Sequence, residues 1–558
     1  MVARVLVGRG IHDEATAREY LSPRLANLVP PTGMAGLEQA AERIGMAVLR
    51  NELCGVFGDY DVDGISSSVL VGDYLRRAGG RVTLRVARRD EGYGFGVPQA
   101  LEMVGRGCSV LALTDCGTSD HAAVAAATEQ GVDVVAIDHH RIGNQEERWP
   151  GLALVNPQRR DCSFPFKGLT SVGLAFYLVA SVRRFLEREG RRKPPDPRES
   201  LDLVALGTVA DVAPLESENR ILVSRGLVQL RNTRRPGLRE LMRLANIGPH
   251  RVTSDEVGWR LGPRLNAPGR LGDASISMDC LWQRDPGKGV LSARRCDALN
   301  EQRKSIQARV EAEALSQARA QVERGRAFVL ASADGWHPGV IGIVAARIVS
   351  TFQRPAAAVA LPRAGQAEAR GSARSIADLD LMELLRPCAG HMVRYGGHAA
   401  AAGFSVVPAE LERLHHLLDE QTRPRMADMS ERSLMVDGVL ELSRLDTDLC
   451  KALARLGPHG CGNPEPVFAA TGVTVENIRT MGEQHLRMKI RQGGAQLEAV
   501  GFGMQRRKPA LERGTPVDIL FSPELDTFRG AKPRLRLRDT RSSDGSWDGI
   551  GAEQEDRP

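Results

Sequence analysis

Three short apolar runs of this 558-residue chain each end directly in acidic or imidazole side chains. LCGVFG (53–58), SVLALT (109–114) and VDVVAI (132–137) have the length and composition of buried strands. Helical spacing in ISSSVLVGDYLRRAGG (65–80) and HAAVAAATEQG (121–131) between them predicts a doubly wound parallel sheet. Because such sheets bind ligands beyond the carboxyl ends of their strands, we expect these side chains to share one crevice. They are Asp59, Asp61, Asp63, Asp115, Asp138, His139 and His140.

Several carboxylates in one crevice predict bound cations, because like charges at short range raise each other's pKa and cost several kcal/mol. Oxygen ligands with one or two imidazoles suit Mn²⁺ or Mg²⁺. Two such ions would polarise a phosphate and activate water, the two-metal route to phosphodiester hydrolysis. A Ca²⁺ loop is the alternative for DYDVDG, but the EF-hand pattern needs a later Glu and flanking helices, whereas a strand precedes this run. Taken alone, Asp115 would be a helix N-cap.

The remainder of the chain divides into several predicted units. Apolar positions at near-helical spacing over 288–324 predict one long connecting helix, and a second, smaller strand-helix unit follows it. Short alternating runs after about residue 425 predict a small β-barrel of the OB type. The predicted units are a helical lead-in (1–50), a catalytic α/β domain (51–287), the connecting helix (288–324), a smaller α/β domain (325–424), the barrel (425–540) and a disordered tail (541–558).

Composition limits the class of protein. The sequence has no 18-residue uncharged apolar run, so we expect no membrane span. Nine cysteines without a CxxC pair favour a reducing cytoplasm over a disulfide framework or a cysteine zinc site. The net charge of only +6, from 75 basic and 69 acidic residues, means that any nucleic-acid site must come from local clusters of cations.

Several separated motifs resemble one enzyme family. DYDVDG, DCGTSD and DHH resemble, in this order, motifs I to III of the DHH phosphoesterase superfamily, and GTVADVAPL resembles its motif IV. HPGVIGIVAARI, GSARS and GGHAAAAGF resemble the DHHA1 domain. With RLNAPGRLGD and GPHGCGNPEPVF, the likeness extends over nearly the full length to the single-strand-specific 5′→3′ DNA exonucleases of this superfamily.

The resemblance implies a site for two divalent cations, Mn²⁺ or Mg²⁺. Asp115 corresponds to a bridging ligand, His140 to a contact with the scissile phosphate, and Asp138 to a carboxylate that orients an imidazole. Many relatives have a His where Phe57 stands here, and Asp59 is the candidate for the missing ligand. The implied metal ligands are Asp59, Asp61, Asp63, Asp115, His139 and Asp211.

Basic and small residues in the later part of the chain are candidates for holding DNA. Glycine and small residues in GSARS let backbone amides approach a phosphate, and the alternative for GGH is a tight turn with a structural His. In KPRLRLRD, period-two alternation puts four cations on one face of a strand, either as a single-strand groove or as a solvated edge. The candidates are Arg88, Arg264, Arg270, Ser372, Arg374, His398, Lys532, Arg534, Arg536 and Arg538.

These observations predict a metal-dependent exonuclease that removes nucleotides from the 5′ end of single-stranded DNA in recombination and repair. One alternative is a DHH/DHHA1 phosphodiesterase for oligoribonucleotides or cyclic dinucleotides, although that subfamily usually lacks the added barrel. A single-strand-binding scaffold on the same fold is the non-enzymatic alternative, which the complete set of acidic positions disfavours. The resemblance further implies a monomer in the bacterial cytoplasm, associated with the nucleoid, that works with a single-strand-binding protein and a DNA helicase.

Overall fold

A computed structural model gives the architecture of the chain. Within the part that it describes, no helix is both long and apolar enough to cross a bilayer. The predicted tail over 541–558 lies almost wholly outside the described residues. The model describes all residues except 92–93, 144–148, 249–251, 363–366, 377–378, 428–433, 483, 506–507, 509–510, 512–515, 527–529 and 544–558.

The first 50 residues form three helices that pack on two different cores. Val5 and Leu6 pack with Leu440 in the C-terminal part of the chain, whereas Leu37 and Ile44 pack in the catalytic domain. The lead-in predicted over 1–50 is therefore not one unit, because amphipathic spacing shows that a helix needs an apolar partner but not which one. The helices are α1 (Val2–Gly8), α2 (Glu14–Leu21) and α3 (Leu37–Leu49).

The catalytic domain is built on the predicted parallel sheet, with strand order β2-β1-β3-β4-β5. Strand β3 is buried along its whole length and β4 at all but its first residue, as expected when helices cover both faces. The strands are β1 (Leu53–Gly58), β2 (Arg81–Val86), β3 (Val110–Thr114), β4 (Asp133–Ile137) and β5 (Ala153–Val155). The helices between them are α4 (Val62–Arg77), α5 (Val97–Gly105) and α6 (His121–Glu129).

A helical layer completes this domain and supplies the end of α8 to the site. A π-helical turn, Val257–Leu261, joins α11 to α12. The helices are α7 (Ser171–Arg188), α8 (Leu201–Ala210), α9 (Ser217–Arg231), α10 (Pro236–Leu244), α11 (Ser254–Glu256), α12 (Gly262–Leu271) and α13 (Ser275–Trp282).

The predicted connecting helix is present as α14 (Pro286–Glu323), 38 residues and about 57 Å long at 1.5 Å per residue. Its first half buries Ala293 and Cys296 in the catalytic core, and its second half buries Val310 and Ala314 in the core of the next domain. One helix therefore supports both domains, which fixes the spacing between them.

The second α/β domain has a mixed sheet of order β6-β7-β8-β10-β9, in which only β6 and β7 are parallel. Its strands are β6 (Val329–Ala333), β7 (Ala356–Ala360), β8 (Ala369–Arg374), β9 (Arg394–His398) and β10 (Ala401–Val406). Its helices are α15 (Ile341–Phe352), α16 (Leu381–Leu385) and α17 (Leu411–Ala427).

The C-terminal part forms the predicted barrel. The strand order β11-β12-β13-β14-β16-β15 is closed by an additional pairing of β12 with β15. The elements are β11 (Gly438–Val439), α18 (Thr447–Ala454), β12 (Phe468–Met481), β13 (His485–Gln492), β14 (Ala495–Gly501), β15 (Pro516–Asp526) and β16 (Lys532–Ser542).

Candidate active site

The register of the parallel sheet brings three predicted strand ends side by side. Gly58 pairs with Thr114, and Thr114 with Ile137, so the next residues in line are Asp59, Asp115 and Asp138. The backbone ladder continues into this row, because the Asp115 amide donates to the Ile137 carbonyl at 3.0 Å. The predicted convergence at the carboxyl edge of the sheet is therefore a consequence of the strand register.

The first turn of α4 contributes two more carboxylates. Asp61 caps this helix and accepts a hydrogen bond from the Gly64 amide at 3.0 Å. Asp63 is fully buried and accepts from the amides of Ser171 (2.8 Å) and Val172 (3.0 Å) at the start of α7. Burial, followed by the charges of neighbouring aspartates, raises the pKa of Asp63 well above its usual value. The role of the α7 N-terminus was not predicted, because only the fold brings it to Asp63.

Asp115 occupies the centre of the cluster in a strained conformation. Its φ of 62° lies in the left-handed region, which costs a non-glycine residue about 1–3 kcal/mol and occurs mainly at functional sites. Its Oδ1 accepts from the Ser171 hydroxyl at 3.0 Å and lies 3.2 Å from His139 Nε2. Burial, followed by Asp61, raises its pKa well above the usual value.

His139 faces three of the carboxylates. Its Nε2 is 3.2 Å from Asp115 Oδ1 and 3.9 Å from both Asp63 Oδ2 and Asp211 Oδ2. Burial, followed by the charge of His140, lowers the pKa of His139 to about 4, so the imidazole is neutral at pH 7, as a metal ligand must be. Asp211 follows α8, and burial together with Asp61 raises its pKa to about 7.

Asp138 forms a hydrogen bond with His140 and does not contact the centre of the carboxylate cluster. Its Oδ1 lies 2.7 Å from His140 Nδ1, and its Oδ2 accepts from the Thr118 amide at 3.1 Å. Although burial opposes both changes, this hydrogen bond lowers the pKa of Asp138 and raises that of His140 to about 9. At neutral pH the pair is therefore a carboxylate beside an imidazolium, joined by the hydrogen bond to His140 Nδ1.

The donor set fits two divalent cations. Asp115 and His139 each belong to two of three groups whose ligand atoms lie within 4.8 Å of one another. Asp59 Oδ1 is buried without a hydrogen-bond partner in the described part of the chain, and burial followed by Asp61 raises the pKa of Asp59 to about 7. The groups are Asp115, His139 and His140; Asp63, His139 and Asp211; and Asp59, Asp61 and Asp115.

The sheet of the second domain presents a basic face built from three cross-strand rows. Strand alternation puts Arg370, Ser372 and Arg374 on the same face of β8. The sequence motif GSARS identified Ser372 and Arg374 but missed Arg370, which the period of two in ARGSAR also indicates. The rows are Arg374–Ala401–His398, Ser372–Gly403–Gly396 and Arg370–Ser405–Arg394, so small residues separate the cations.

A cleft of about 690 Å³ lies between this face and the carboxylate cluster, with Asp61 in its wall. Arg374 donates to the Ser372 hydroxyl at 3.0 Å, and burial lowers its pKa. Arg270 donates to the Gly339 carbonyl at 3.4 Å, and burial followed by Arg89 lowers its pKa to about 10. Neither guanidinium has a carboxylate partner among the described residues, so this cleft suits an anion.

The remaining DNA-binding candidates of the two α/β domains lie at different positions relative to the cleft. His398 is exposed at the end of β9 beside the cleft lining, and its pKa is lowered by burial and then by the charge of His140. Arg88 is exposed and lines an adjoining cavity. Arg264 pairs with Asp297 at 2.8 Å and holds α12 to α14, and the structure does not bring it into the cleft.

The predicted cation row of the barrel is present, with Leu535 and Leu537 buried between its arginines. Three of its four cations face carboxylates rather than open solvent. Lys532 is exposed, and the DNA-binding role of the row stays a prediction. The ion pairs join Arg534 to Glu524 at 2.7 Å, Arg536 to Asp255 of the catalytic domain at 3.2 Å, and Arg538 to Glu465.

Carboxylates and imidazoles at the ends of parallel strands, facing a basic cleft on a second α/β domain, define a phosphoesterase of the DHH class. Family models match in the same order: the N-terminal domain of the DHH family at 54–208, the DHHA1 domain at 325–423 and the RecJ OB domain at 436–539.

Full-length relatives narrow the class further. The single-stranded-DNA-specific exonuclease RecJ of Dickeya dadantii is 35% identical over 552 residues, covering 95% of this chain and 94% of the relative. Crystal structures of RecJ from Thermus thermophilus with Mn²⁺ (TM-score 0.81, 28% identity) and with Mg²⁺ (0.75, 26%) each cover 98% of this chain, and 76% and 75% of theirs. The chain belongs to the RecJ family.

Proposed function

We propose that this protein hydrolyses phosphodiester bonds from the 5′ end of single-stranded DNA, with two divalent cations, Mn²⁺ or Mg²⁺, in recombination and repair. The observation that carries the proposal is the shared cleft, since Asp61 of the carboxylate cluster and Arg374 of the basic face line the same cavity. A terminal phosphate beside Arg374 then lies near the cations that act on the next phosphodiester bond.

Each residue of the cluster has a proposed role. When bound, the cations polarise the scissile phosphate and activate water. Asp115 is proposed to bridge them, because its carboxylate belongs to two of the three ligand groups. His140, charged through its hydrogen bond to Asp138, donates to a phosphate oxygen. The proposed ligands are Asp59, Asp61, Asp63, Asp115, His139 and Asp211.

The 5′ phosphate is proposed to bind Ser372, Arg374 and His398, with Arg270 on the opposite wall. The small residues between the cations support this assignment, because they let a phosphate approach the sheet. The walls come from two domains joined by α14, and a Cβ at Gly339 would lie 2.0 Å from the Arg270 carbonyl oxygen. This close contact supports a cleft that admits a single strand and excludes a duplex.

The proposal includes the setting of the protein. We propose that the catalytic domain spans 51–287, the second domain 325–424 and the barrel 425–540. We further propose that the protein is a cytoplasmic monomer that associates with the nucleoid. Family membership supports a single-strand-binding protein and a DNA helicase as partners. Pull-down of each purified partner, alone and with DNA, tests this part separately.

The direct test is digestion of end-labelled oligonucleotides with Mn²⁺ or Mg²⁺. We expect release from the 5′ end of single-stranded DNA, and slow cleavage of duplex DNA and of RNA. Asp115→Asn is expected to be inactive, whereas Asp419→Asn, a buried aspartate of the second domain that pairs with Arg423, is the matched control. Preference for short oligoribonucleotides or cyclic dinucleotides would favour the alternative phosphodiesterase, and binding without cleavage would favour a scaffold.

A further inference from the structure

A second cavity adjoins the cleft on the side away from the metal cluster. Its volume of about 440 Å³ lies in the usual range of small-ligand sites. Arg89, Arg270 and Arg370 line both cavities, whereas Tyr60 and Asp61 line only the first. The order along the protein is therefore metal cluster, 5′-phosphate cleft, second cavity.

The second cavity is strongly basic. Four arginines and one carboxylate line it: Arg88, Arg89, Arg270, Arg370 and Glu368. Arg270 is half-buried between the two cavities, and its side chain has no ion pair with any residue that the structure describes. Because a cation that is partly withdrawn from water is stabilised by a counter-charge, the three arginines that line both cavities favour an anion against this wall.

A single 5′ phosphate bound in the first cavity does not account for the basic lining of the second cavity. Ser372 and Arg374, proposed to hold that phosphate, line the first cavity but not the second. A group in the second cavity therefore lies beyond the 5′ phosphate, on the side opposite the cleavage site. The continuous basic wall formed by Arg89, Arg270 and Arg370 suits an anion attached directly to that phosphate.

We propose that the second cavity binds the additional phosphate groups of single strands that carry a 5′-diphosphate or 5′-triphosphate. This inference rests on the proposed exonuclease function and extends its substrates to polyphosphorylated ends.

The first turnover on such an end has a distinct product. The oxygen of water bonds to the phosphorus of the first phosphodiester, the bond from that phosphorus to the 3′ oxygen breaks, and the 3′ oxygen takes a proton. The released product is a nucleoside 5′-triphosphate, and the remaining strand carries a 5′-monophosphate. Every later turnover releases a nucleoside monophosphate.

Two variants change the second cavity alone, since neither Arg88 nor Glu368 lines the first. Arg88→Ala is expected to raise KM for a 5′-triphosphorylated strand by about tenfold relative to a monophosphorylated one, the value of one charge-assisted hydrogen bond. Glu368→Gln removes the carboxylate of the wall and is expected to lower KM for the triphosphorylated strand. Arg347→Ala, at an exposed arginine of the same domain outside both cavities, is the control.

The experiment uses the full chain and three oligonucleotides of one sequence, with a 5′-hydroxyl, a 5′-monophosphate or a 5′-triphosphate. Chromatography of early products detects the nucleoside triphosphate, and steady-state kinetics gives KM for each variant. Release of nucleoside triphosphate, with a KM ratio that Arg88→Ala shifts, supports the inference. Cleavage of the monophosphorylated strand without cleavage of the triphosphorylated one overturns it, as does an unchanged ratio in Arg88→Ala. If no strand is cleaved, the proposed function fails and this inference falls with it.

Discussion

In the protein without divalent cations, the free energy of unfolding is expected to decrease as the pH rises from about 6.5 to about 8. Burial raises the pKa of Asp63 and Asp115 well above the usual value of 3.8, so each carboxyl group keeps its proton to a higher pH in the native protein than in the unfolded chain. His140, with a native pKa of about 9, also destabilises the fold as the pH rises above 6.5, because the unfolded imidazole then loses its proton while the native one keeps it. His139, with its pKa lowered to about 4, has the opposite sign only below pH 6.5.

The magnitude follows from proton linkage. A group that is protonated only in the native state changes the free energy of unfolding by about 1.4 kcal/mol per pH unit. Between pH 6.5 and 8, His140 alone, with its native pKa of about 9, therefore removes roughly 1.5 kcal/mol of stability. Asp59 and Asp211, whose pKa values are about 7, add to this in the lower half of the interval.

The assay is chemical unfolding of chelator-treated protein across this pH interval, repeated with Mn²⁺. Metal ligands bind as deprotonated groups, so Mn²⁺ is expected to abolish or reverse the slope. Asp115→Asn should be more stable than the parent at the upper pH without metal and should respond little to Mn²⁺. Asp419→Asn should keep the slope, because the pKa of Asp419 is lowered by its partners despite burial. A metal-free stability that is flat or rises over this interval would refute the reasoning.

Four further predictions concern catalysis, DNA binding and stability. Asp115→Ala should abolish cleavage in a folded protein, measured by nuclease assay with excess Mn²⁺ and by circular dichroism; turnover near that of the parent would contradict the two-metal assignment. Arg374→Ala should raise KM about tenfold or more for a 5′-phosphorylated strand while changing kcat less, and an equal effect on the 5′-hydroxyl strand would exclude end recognition. Lys532→Ala should lower the slope of log K against log salt by about 0.7 if the exposed cation contacts a phosphate. Arg538→Ala, which breaks a pair with Glu465, should chiefly reduce stability, measured by thermal unfolding.

The sequence predicted the site best where local pattern alone determines geometry. Asp59, Asp115 and Asp138 directly follow apolar strands, and parallel strands align their carboxyl ends, so their convergence needed no knowledge of tertiary contacts. Asp211 follows a helix instead, and resemblance rather than pattern identified it. The hydrogen bonds from Ser171 depend on where α7 packs, which no local spacing specifies.

The basic residues were harder to assign, because charge in a sequence does not show which partner it meets. Arg264, Arg270 and Arg374 look alike in sequence, yet Arg264 is neutralised by Asp297. The other two line the cleft, and neither forms an ion pair with a described carboxylate. The same applies to Arg536, which joins the barrel to Asp255 of the catalytic domain. Period-two alternation indicates the face of a strand, but only the fold shows what covers that face.

The contacts around Asp211 give the barrel a structural role at the metal site. Val212, next to this proposed ligand, has a φ of 59°, so the chain turns sharply after α8. Three residues further on, the Leu215 amide donates to the Cys461 carbonyl at 2.7 Å, and Arg220 of α9 donates to the Gly457 carbonyl at 2.8 Å. Both acceptors belong to the loop that leads into β12. Because a strained turn persists only when its surroundings hold it, the contacts from the barrel help to fix the position of Asp211.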